Sequence, residues 1–278
     1  MLKQRVITAV VLLAVLLPAL FAPMAWPFAV LTLVMIGAAG WEWARLNGVA
    51  GGGAVSLGLA LAGACALALW TGWAASAPHL AWWLATLVWV LGGMWALRVG
   101  PTGWPVLSKV LRCALGLVAL WTAWLALANA KSTGVNAILS IFCLVWAADI
   151  AAYFGGRTFG KRKLAPAISP GKSWEGVWSG MAGALALAVA WLAIDRSFAV
   201  DSMSLYSMLR DRLGTIGLVA GTVFLAAMSV VGDLVESLAK RSAGAKDSSQ
   251  LLPGHGGVLD RIDALLPVFP LALALTSL

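Results

Sequence analysis

Apolar residues run along the chain in long stretches separated by short polar segments. A helix rises about 1.5 Å per residue, so roughly 20 mostly apolar residues cross the hydrocarbon of a bilayer. Nine stretches approach or reach that length, near residues 6–22, 25–44, 54–74, 79–97, 110–129, 134–154, 174–194, 213–235 and 262–278. The pattern predicts an all-α polytopic membrane protein with about nine transmembrane helices. The first stretch follows Lys3 and Arg5 as a signal sequence would, but eight more follow it and no small-residue cleavage site is clear, so a retained helix is expected. Gly176/Gly180 and Gly217/Gly221 have the GxxxG spacing that lets helices approach closely. With no internal repeat and no long linker, one integrated membrane domain is expected. Residues 1–130 hold about five spans, and residues 131–278 about four, with polar loops at 155–173 and 236–261.

Composition agrees. Hydrophobic residues make up 62% of the 278 and charged ones 11%, where soluble domains carry about 25% charged. The net charge of +8 gains meaning only from position. Lys and Arg gather in cytoplasmic loops. With the N-terminus inside and nine alternating spans, fifteen of the nineteen basic residues fall inside, and Lys131, Arg196, Arg210 and Arg212 fall outside. The expectation is a protein of the inner cell membrane with a cytoplasmic N-terminus and an outside C-terminus. No Lys/Arg run interleaves with aromatics, which excludes a nucleic-acid surface. Trp41, Trp43, Trp82, Trp83, Trp104 and Trp174 fall near span ends, where headgroup anchors are expected. Cys65, Cys113 and Cys143 stand singly in apolar stretches and read as buried hydrophobes, and His79 beside Pro78 as an interfacial residue.

Eight of the eleven acidic residues lie at or near the inner face, and all but Glu42 belong to the second half of the chain. Glu42 precedes Arg45 by three positions and reads as half of a local pair, with a weaker claim to a site. One polar segment runs Asp149-Ile-Ala-Ala-Tyr153, Gly155-Gly-Arg157, Lys161-Arg-Lys163, then Ser169-Pro-Gly-Lys172-Ser173-Trp-Glu175-Gly176. Asp149, inside an apolar span, calls for a functional partner or a polar cavity, with an ion pair to Arg157 as the structural alternative. Gly171-Lys172-Ser173 ends like a P-loop, but Pro166 replaces the required Gly and no strand is expected before it. That excludes a Walker site. Ser169, Lys172 and the N–H groups opening the next span keep the capacity to hold a phosphate.

The second segment reads Asp233-Leu-Val-Glu236-Ser237-Leu-Ala-Lys240-Arg241, Lys246-Asp247, Pro253-Gly-His255-Gly-Gly257 and Asp260-Arg261-Ile-Asp263. Asp260 and Asp263 share a helical face, and Asp233 sits at the same depth, so three carboxylates can converge. Hard oxygen donors of this kind suit Mg²⁺. Lys240, Arg241, Lys246 and Arg261 would surround that ion, which is the composition of a phosphoryl or nucleotidyl transfer site. Glycines around His255 allow close backbone approach to a ligand. A loop whose basic residues meet anionic lipid would explain the lysines but not acids and glycines returning into a span. An ion-coupled transporter relaying cations through Asp149 and Asp233 remains an alternative, although the outer halves of the spans are almost free of charge.

The run Ser237-Leu-Ala-Lys240-Arg241, Lys246-Asp247 and Leu252-Pro253-Gly-His255-Gly-Gly-Val-Leu-Asp260-Arg261-Ile-Asp263 resembles the hallmark of the phosphatidate cytidylyltransferases, also called CDP-diacylglycerol synthases. Asp149…Tyr153-Phe-Gly-Gly-Arg157…Ser169-Pro-Gly-Lys172-Ser173-Trp-Glu175-Gly176 resembles that family's second shared stretch. Together they cover residues 149–263, and Ala239 departs from the larger apolar residue expected there. The resemblance implies a multi-span helical homodimer that converts CTP and phosphatidic acid to CDP-diacylglycerol and pyrophosphate with Mg²⁺, and with a second cation such as K⁺ in view. Carried onto this chain, it implies that Asp233 and Asp260 hold the metal and act in catalysis with Asp263 and Lys246. It further implies substrate contacts from Ser169, Lys172, Ser237, Lys240, Arg241, Asp247, His255 and Arg261. A CTP-dependent enzyme acting on another lipid phosphate is the nearest alternative.

Overall fold

The computed structural model describes residues 2–278; the side chains of residues 2–6 and Ala9, and so the placement of Lys3 and Arg5, lie outside the described residues. In chain order the elements are α1 Leu2–Phe21, α2 Trp26–Leu46, α3 Gly51–Trp70, a single turn α4 Trp73–Ser76, and α5 His79–Leu87. From there α5 passes through a π turn at Val88–Gly92 into α6 Gly93–Gly103 and a 3₁₀ turn at Trp104–Val106. Then come α7 Lys109–Thr133, α8 Val135–Phe159, β1 Lys163–Ala165, β2 Ser169–Ser173, α9 Trp174–Ser197, α10 Leu205–Ser242, α11 Leu259–Ile262 and α12 Leu265–Thr276.

The chain is helical almost throughout, and among the described residues seven helical stretches are long and apolar enough to cross a membrane: α2, α3, His79–Val106, α7, α8, α9 and α10. Helix α1 also has 20 residues, and the expected first span falls partly outside the described side chains. The expected last span differs. The last apolar stretch is broken at Asp263–Ala264, leaving α12 with 12 residues. Such a helix is about 18 Å long, well short of the roughly 30 Å of hydrocarbon. Its side chains are buried instead, with Leu266, Phe269 and Leu271 packed among α5, α7 and α10. A stretch rich in Leu and Ala looks the same in sequence whether its solvent is lipid or protein.

Small residues set the helix spacing. A Cβ at Gly176 or Gly180 would lie 3.0 Å from the Ala152 carbonyl or 2.9 Å from that of Ala148, so α8 and α9 meet backbone to backbone. Gly217/Gly221 serve a different purpose. Helix α10 runs 38 residues with a kink at Gly214 (φ +70°), and its first segment folds so that Leu209 covers Gly221. The expected absence of a strand before Lys172 also needs correction. Pro166, Pro170 and Gly171 disfavour helix, and residues 163–173 form an antiparallel hairpin pairing Lys163 with Ser173 and Ala165 with Ser169. Lys172 thus lies within the second strand rather than in a loop between strand and helix.

Hydrogen bonds sort the helix ends into two groups. At one end the Lys131 ammonium donates to the Leu20 carbonyl at 2.5 Å, and Asp201 accepts the Val135 and Asn136 N–H groups that open α8. At the other, the Trp43 indole donates to the Arg112 carbonyl (3.0 Å) and the Trp104 indole to Asn47 Oδ1 (3.1 Å). Trp43, Trp82 and Trp104 are therefore buried core residues, not headgroup anchors, while Trp83 and Trp174 are exposed. Arg45 lies over the Trp41 ring at 4.7 Å and makes no pair with Glu42.

Candidate active site

Helix α10 carries Asp233, Glu236, Ser237 and Lys240 at spacings of three and four, which puts them on one face near its end. That face, Asp149 of α8, the segment after α10 and the α11–α12 break enclose a cavity of about 470 Å³. Five carboxylates line it, from Asp149, Asp233, Asp247, Asp260 and Asp263, with Lys240 and Arg261. Ion pairs organise the walls. Lys172 reaches from β2 to within 2.8 Å of Asp233 Oδ2. Lys240 is 2.6 Å from both Asp260 Oδ1 and the buried Glu236 Oε2. The second Asp260 oxygen accepts the N–H groups of Gly257 (2.7 Å) and Ser248 (2.9 Å) and the Ser248 hydroxyl (2.8 Å). Burial works to raise the Asp260 pKa, but the Lys240 ammonium and these N–H groups hold it below the ordinary carboxylate value.

A second cavity of about 500 Å³ opens between α8, α9, α10 and β2, sharing Asp149 and Asp233 with the first. Its polar lining is Tyr153, Arg157, Ser169, Lys172 and Ser173, over a floor of Gly156, Gly176 and Gly180. Arg157 makes its hydrogen bond with the Tyr153 hydroxyl, so the pairing with Asp149 does not form. Glu175 turns away to accept the N–H groups of Lys161 and Arg162 and to pair with the Arg162 side chain, closing the hairpin.

The matched sequence model of the Cytidylyltransferase family covers residues 3–278, which takes in every element around these cavities. The chain belongs to that cytidylyltransferase family. It is 40% identical over 99% of its length to a phosphatidate cytidylyltransferase of Pseudomonas aeruginosa, covering 97% of that protein. It is 53% identical to one of Haemophilus influenzae over 49% of this chain and 44% of the relative. To one of Brucella suis it is 34% identical over 82% of this chain and 68% of the relative.

In this cytidylyltransferase-family chain most candidate residues gather around the cavities, and some do not. Ser237 donates to Asp233 Oδ1 at 3.3 Å. Arg241 is spent on the carbonyls of Ile168 and Ala245, and Lys246 is exposed and outside the cavity walls. His255 faces away from the acidic cavity, its carbonyl accepting from Arg261 Nη2 at 2.8 Å. The three carboxylates expected to converge share the cavity, but among the described residues no three acidic, His or Cys side chains form a ready chelate. Lys172 pairs with Asp233 and Lys240 with Asp260. Even so, the donor set fits a hard cation: five carboxylates, all offering oxygen, line the acidic cavity with Lys240 and Arg261, and Arg157 and Lys172 line the adjoining one.

Glu42 is the residue the sequence underrated. Fully buried on α2, it accepts from the Ser248 and Ser249 hydroxyls and from the N–H groups of Val258 and Leu259, at 2.5–3.1 Å. It fixes both ends of the segment that presents Asp260. Any side chain at Gly257 would overlap the Glu42 carboxylate and the Ser248 hydroxyl, and Gly256 adopts φ +81°, which accounts for two of the glycines after His255. The available signal was isolation: Glu42 is the sole acid before Asp149, and a lone carboxylate in an apolar helix requires donors.

Proposed function

We propose that this chain transfers the cytidylyl group of CTP to phosphatidic acid, giving CDP-diacylglycerol and pyrophosphate. The observation that carries the reading is the acidic cavity, walled by Asp149, Asp233, Asp247, Asp260 and Asp263 with Lys240 and Arg261, at the end of a bundle of membrane-length helices. Phosphatidate cytidylyltransferase is also the name of the relatives that match 99% and 82% of the chain.

The phosphatidate oxygen is already anionic, so its attack on the α-phosphorus needs no strong base. A bond forms from that oxygen to phosphorus, and the bond to the bridging oxygen breaks with its electron pair leaving on pyrophosphate. What the protein must supply is aim and positive charge. Lys172, Lys240 and Arg261 supply charge at the cavity walls, and Ser169 offers a hydroxyl beside Lys172. Asp233 and Asp260 would hold Mg²⁺, supported by Asp263, with room for a second cation such as K⁺. When bound, the divalent ion neutralises charge on the nucleotide phosphates. Lys246 and Arg241 would act at the rim beside Asp247 of the cavity wall, and His255 would brace the same segment through its carbonyl bond to Arg261. With the seven long helices alternating, thirteen of the seventeen basic residues from Arg45 onward fall on one side, which supports a cytoplasmic site in an inner membrane, where CTP and phosphatidate headgroups meet. The working unit is a homodimer.

The test uses purified protein in detergent with labelled CTP, phosphatidate and Mg²⁺. Label should enter lipid, and EDTA or Asp260→Asn should abolish it. Monodisperse protein that forms no CDP-lipid would overturn the reading, and product made only from other lipid phosphates would redirect it.

A further inference from the structure

A third cavity, of about 460 Å³, lies between α1, α2, α7, α8 and α12. Its walls are apolar along their length, with Leu16, Ile36, Leu127, Phe142 and Phe269 among them. Polarity returns only at one end, where His255 and Arg261 stand. Thr32 does not interrupt the apolar run, because its hydroxyl is spent on the Phe28 carbonyl. Trp146, Arg261 and Leu265 belong to the walls of both this cavity and the acidic one, so the two are adjacent across the Arg261 side chain. The polar end is under-satisfied. Among the described residues, buried His255 Nδ1 has no hydrogen-bond partner, and Arg261 makes one bond, through Nη2, leaving the rest of its guanidinium donors open.

We propose that this cavity is the acyl-chain site of the lipid substrate: one acyl chain of phosphatidate lies among α1, α7 and α12, and its phosphate is received by Arg261 at the acidic cavity. The inference rests on the reaction proposed above and names where its lipid sits. A nucleotide would be poorly served here, since a polyphosphate needs several cations and the apolar walls offer none. The cavity across Asp149 and Asp233 has the complementary character, with Arg157, Ser169 and Lys172 over bare glycine backbone. In-line displacement needs the attacking oxygen and the departing pyrophosphate on opposite sides of phosphorus. A lipid arriving past Arg261 and a triphosphate lying toward Lys172 meet that requirement across the shared acidic chamber. The outer wall also suits a lipid: Val11, Leu13 and Val15 of α1 line the groove and still expose apolar surface, so a chain can pass from bilayer to groove past apolar side chains.

Two measurements decide the matter. Wild-type protein in nanodiscs is irradiated with phosphatidate carrying a mid-chain diazirine, without CTP, and the adducts are mapped by mass spectrometry. Labels are expected on α1, α7 and α12 around Leu16, Leu127 and Phe269, and dioleoyl phosphatidate should compete for them better than dioleoylglycerol does. Labels confined to the outer faces of α3 or α9, or equal competition by dioleoylglycerol, would overturn the assignment. Second, Ala123→Phe and Leu127→Trp fill the groove and should raise KM for dioleoyl phosphatidate roughly tenfold relative to dihexanoyl phosphatidate, by displacing one or two methylenes. An equal change for both lipids would count against the groove. Failure of the wild type to form CDP-lipid would sink the reaction but not the labelling, which reads the lipid site without turnover.

Discussion

Replacing Glu42 tests whether a residue far from the shared motifs sets the geometry of the site. Each carboxylate oxygen takes one backbone N–H and faces one serine hydroxyl: Oε1 has Val258 and Ser249, and Oε2 has Leu259 and Ser248, whose single proton is shared with Asp260 Oδ2. Glu42→Gln turns one oxygen into an NH₂ group. The hydroxyl facing it can rotate and accept, but the backbone N–H cannot, so one buried donor is orphaned. The cost is about 1–3 kcal/mol, to which the loss of charge assistance on the other bonds adds. Glu42→Ala orphans both N–H groups in a site with no solvent exposure, roughly doubling the penalty. The displaced segment holds Ser248 and Gly257, which fix Asp260, so activity should fall further than stability. Thermal unfolding in detergent should show a lower midpoint for both variants, larger for Ala. CDP-lipid formation by folded Glu42→Gln at permissive temperature should drop on the order of tenfold or more, mainly in kcat. Wild-type kcat and midpoint in Glu42→Ala would refute the reasoning outright.

Lys172→Met and Asp233→Asn should each lower kcat/KM, and the double variant should show a coupling of about 0.5–3 kcal/mol, because the pair is in contact; additive losses in a double-mutant cycle would remove the pair from the site. Gly180→Leu should abolish monodisperse protein on size exclusion, since its Cβ already meets the Ala148 carbonyl, whereas Gly63→Leu, where a Cβ meets nothing within 4 Å, should be tolerated. For Asp201, burial opposes ionisation, but the N–H groups of Asn136 and Val135 lower its pKa. Its folded value lies below the unfolded one of about 3.9, so its contribution is complete above that pH and is lost as pH falls through the folded value. Asp201→Asn should therefore cost about 1 kcal/mol at pH 7, as lost helix caps do, and the gap in melting temperature should close as pH falls through the folded value. Mg²⁺ should raise the wild-type unfolding midpoint, by about 2.7 kcal/mol of stability at a hundred times its Kd, but not that of Asp233→Asn/Asp260→Asn; an equal rise in both would deny those residues the metal.

The sequence was most informative where one physical constraint dominated. Long apolar runs must become helices in lipid, because no other open structure satisfies its own backbone there. Charge placement pointed to one end of the bundle, and there Asp149, Asp233, Asp260 and Asp263 line one shared polar chamber. What stayed hidden depended on three-dimensional pairing. Residues 262–278 are apolar enough for a span, and only the break at Asp263–Ala264 and the neighbours of α12 turn them into a core helix. Trp43 and Trp104 sit near helix ends in sequence, but their indoles find Arg112 and Asn47, so they face inward. Lys246 looked equivalent to Lys240, yet helical spacing from Glu236 aims Lys240 into the chamber while Lys246 lies beyond the end of α10.

The partner of Glu42 shows why the N-terminal helices are more than a scaffold. The segment from Ser248 to Leu259 must hold Asp260 still while its outer surface stays open to water and substrate. Apolar contacts cannot fix such a segment, because dispersion has no direction and the exposed side has nothing to pack against. A buried carboxylate can, since each of its four bonds constrains an angle as well as a distance. Desolvating that charge is costly in isolation, and the cost is offset only when the segment is correctly seated against α2. The arrangement is therefore self-checking. A mis-seated segment leaves an unpaired carboxylate in the bundle, so the state that stabilises Glu42 is the state that positions Asp260 against Lys240. On this argument the coupling between α2 and the acidic chamber should be strong in both directions: substitutions at Ser248, which bonds Glu42 and Asp260 together, should reproduce the Glu42 phenotype although Ser248 touches neither lipid groove nor nucleotide cavity.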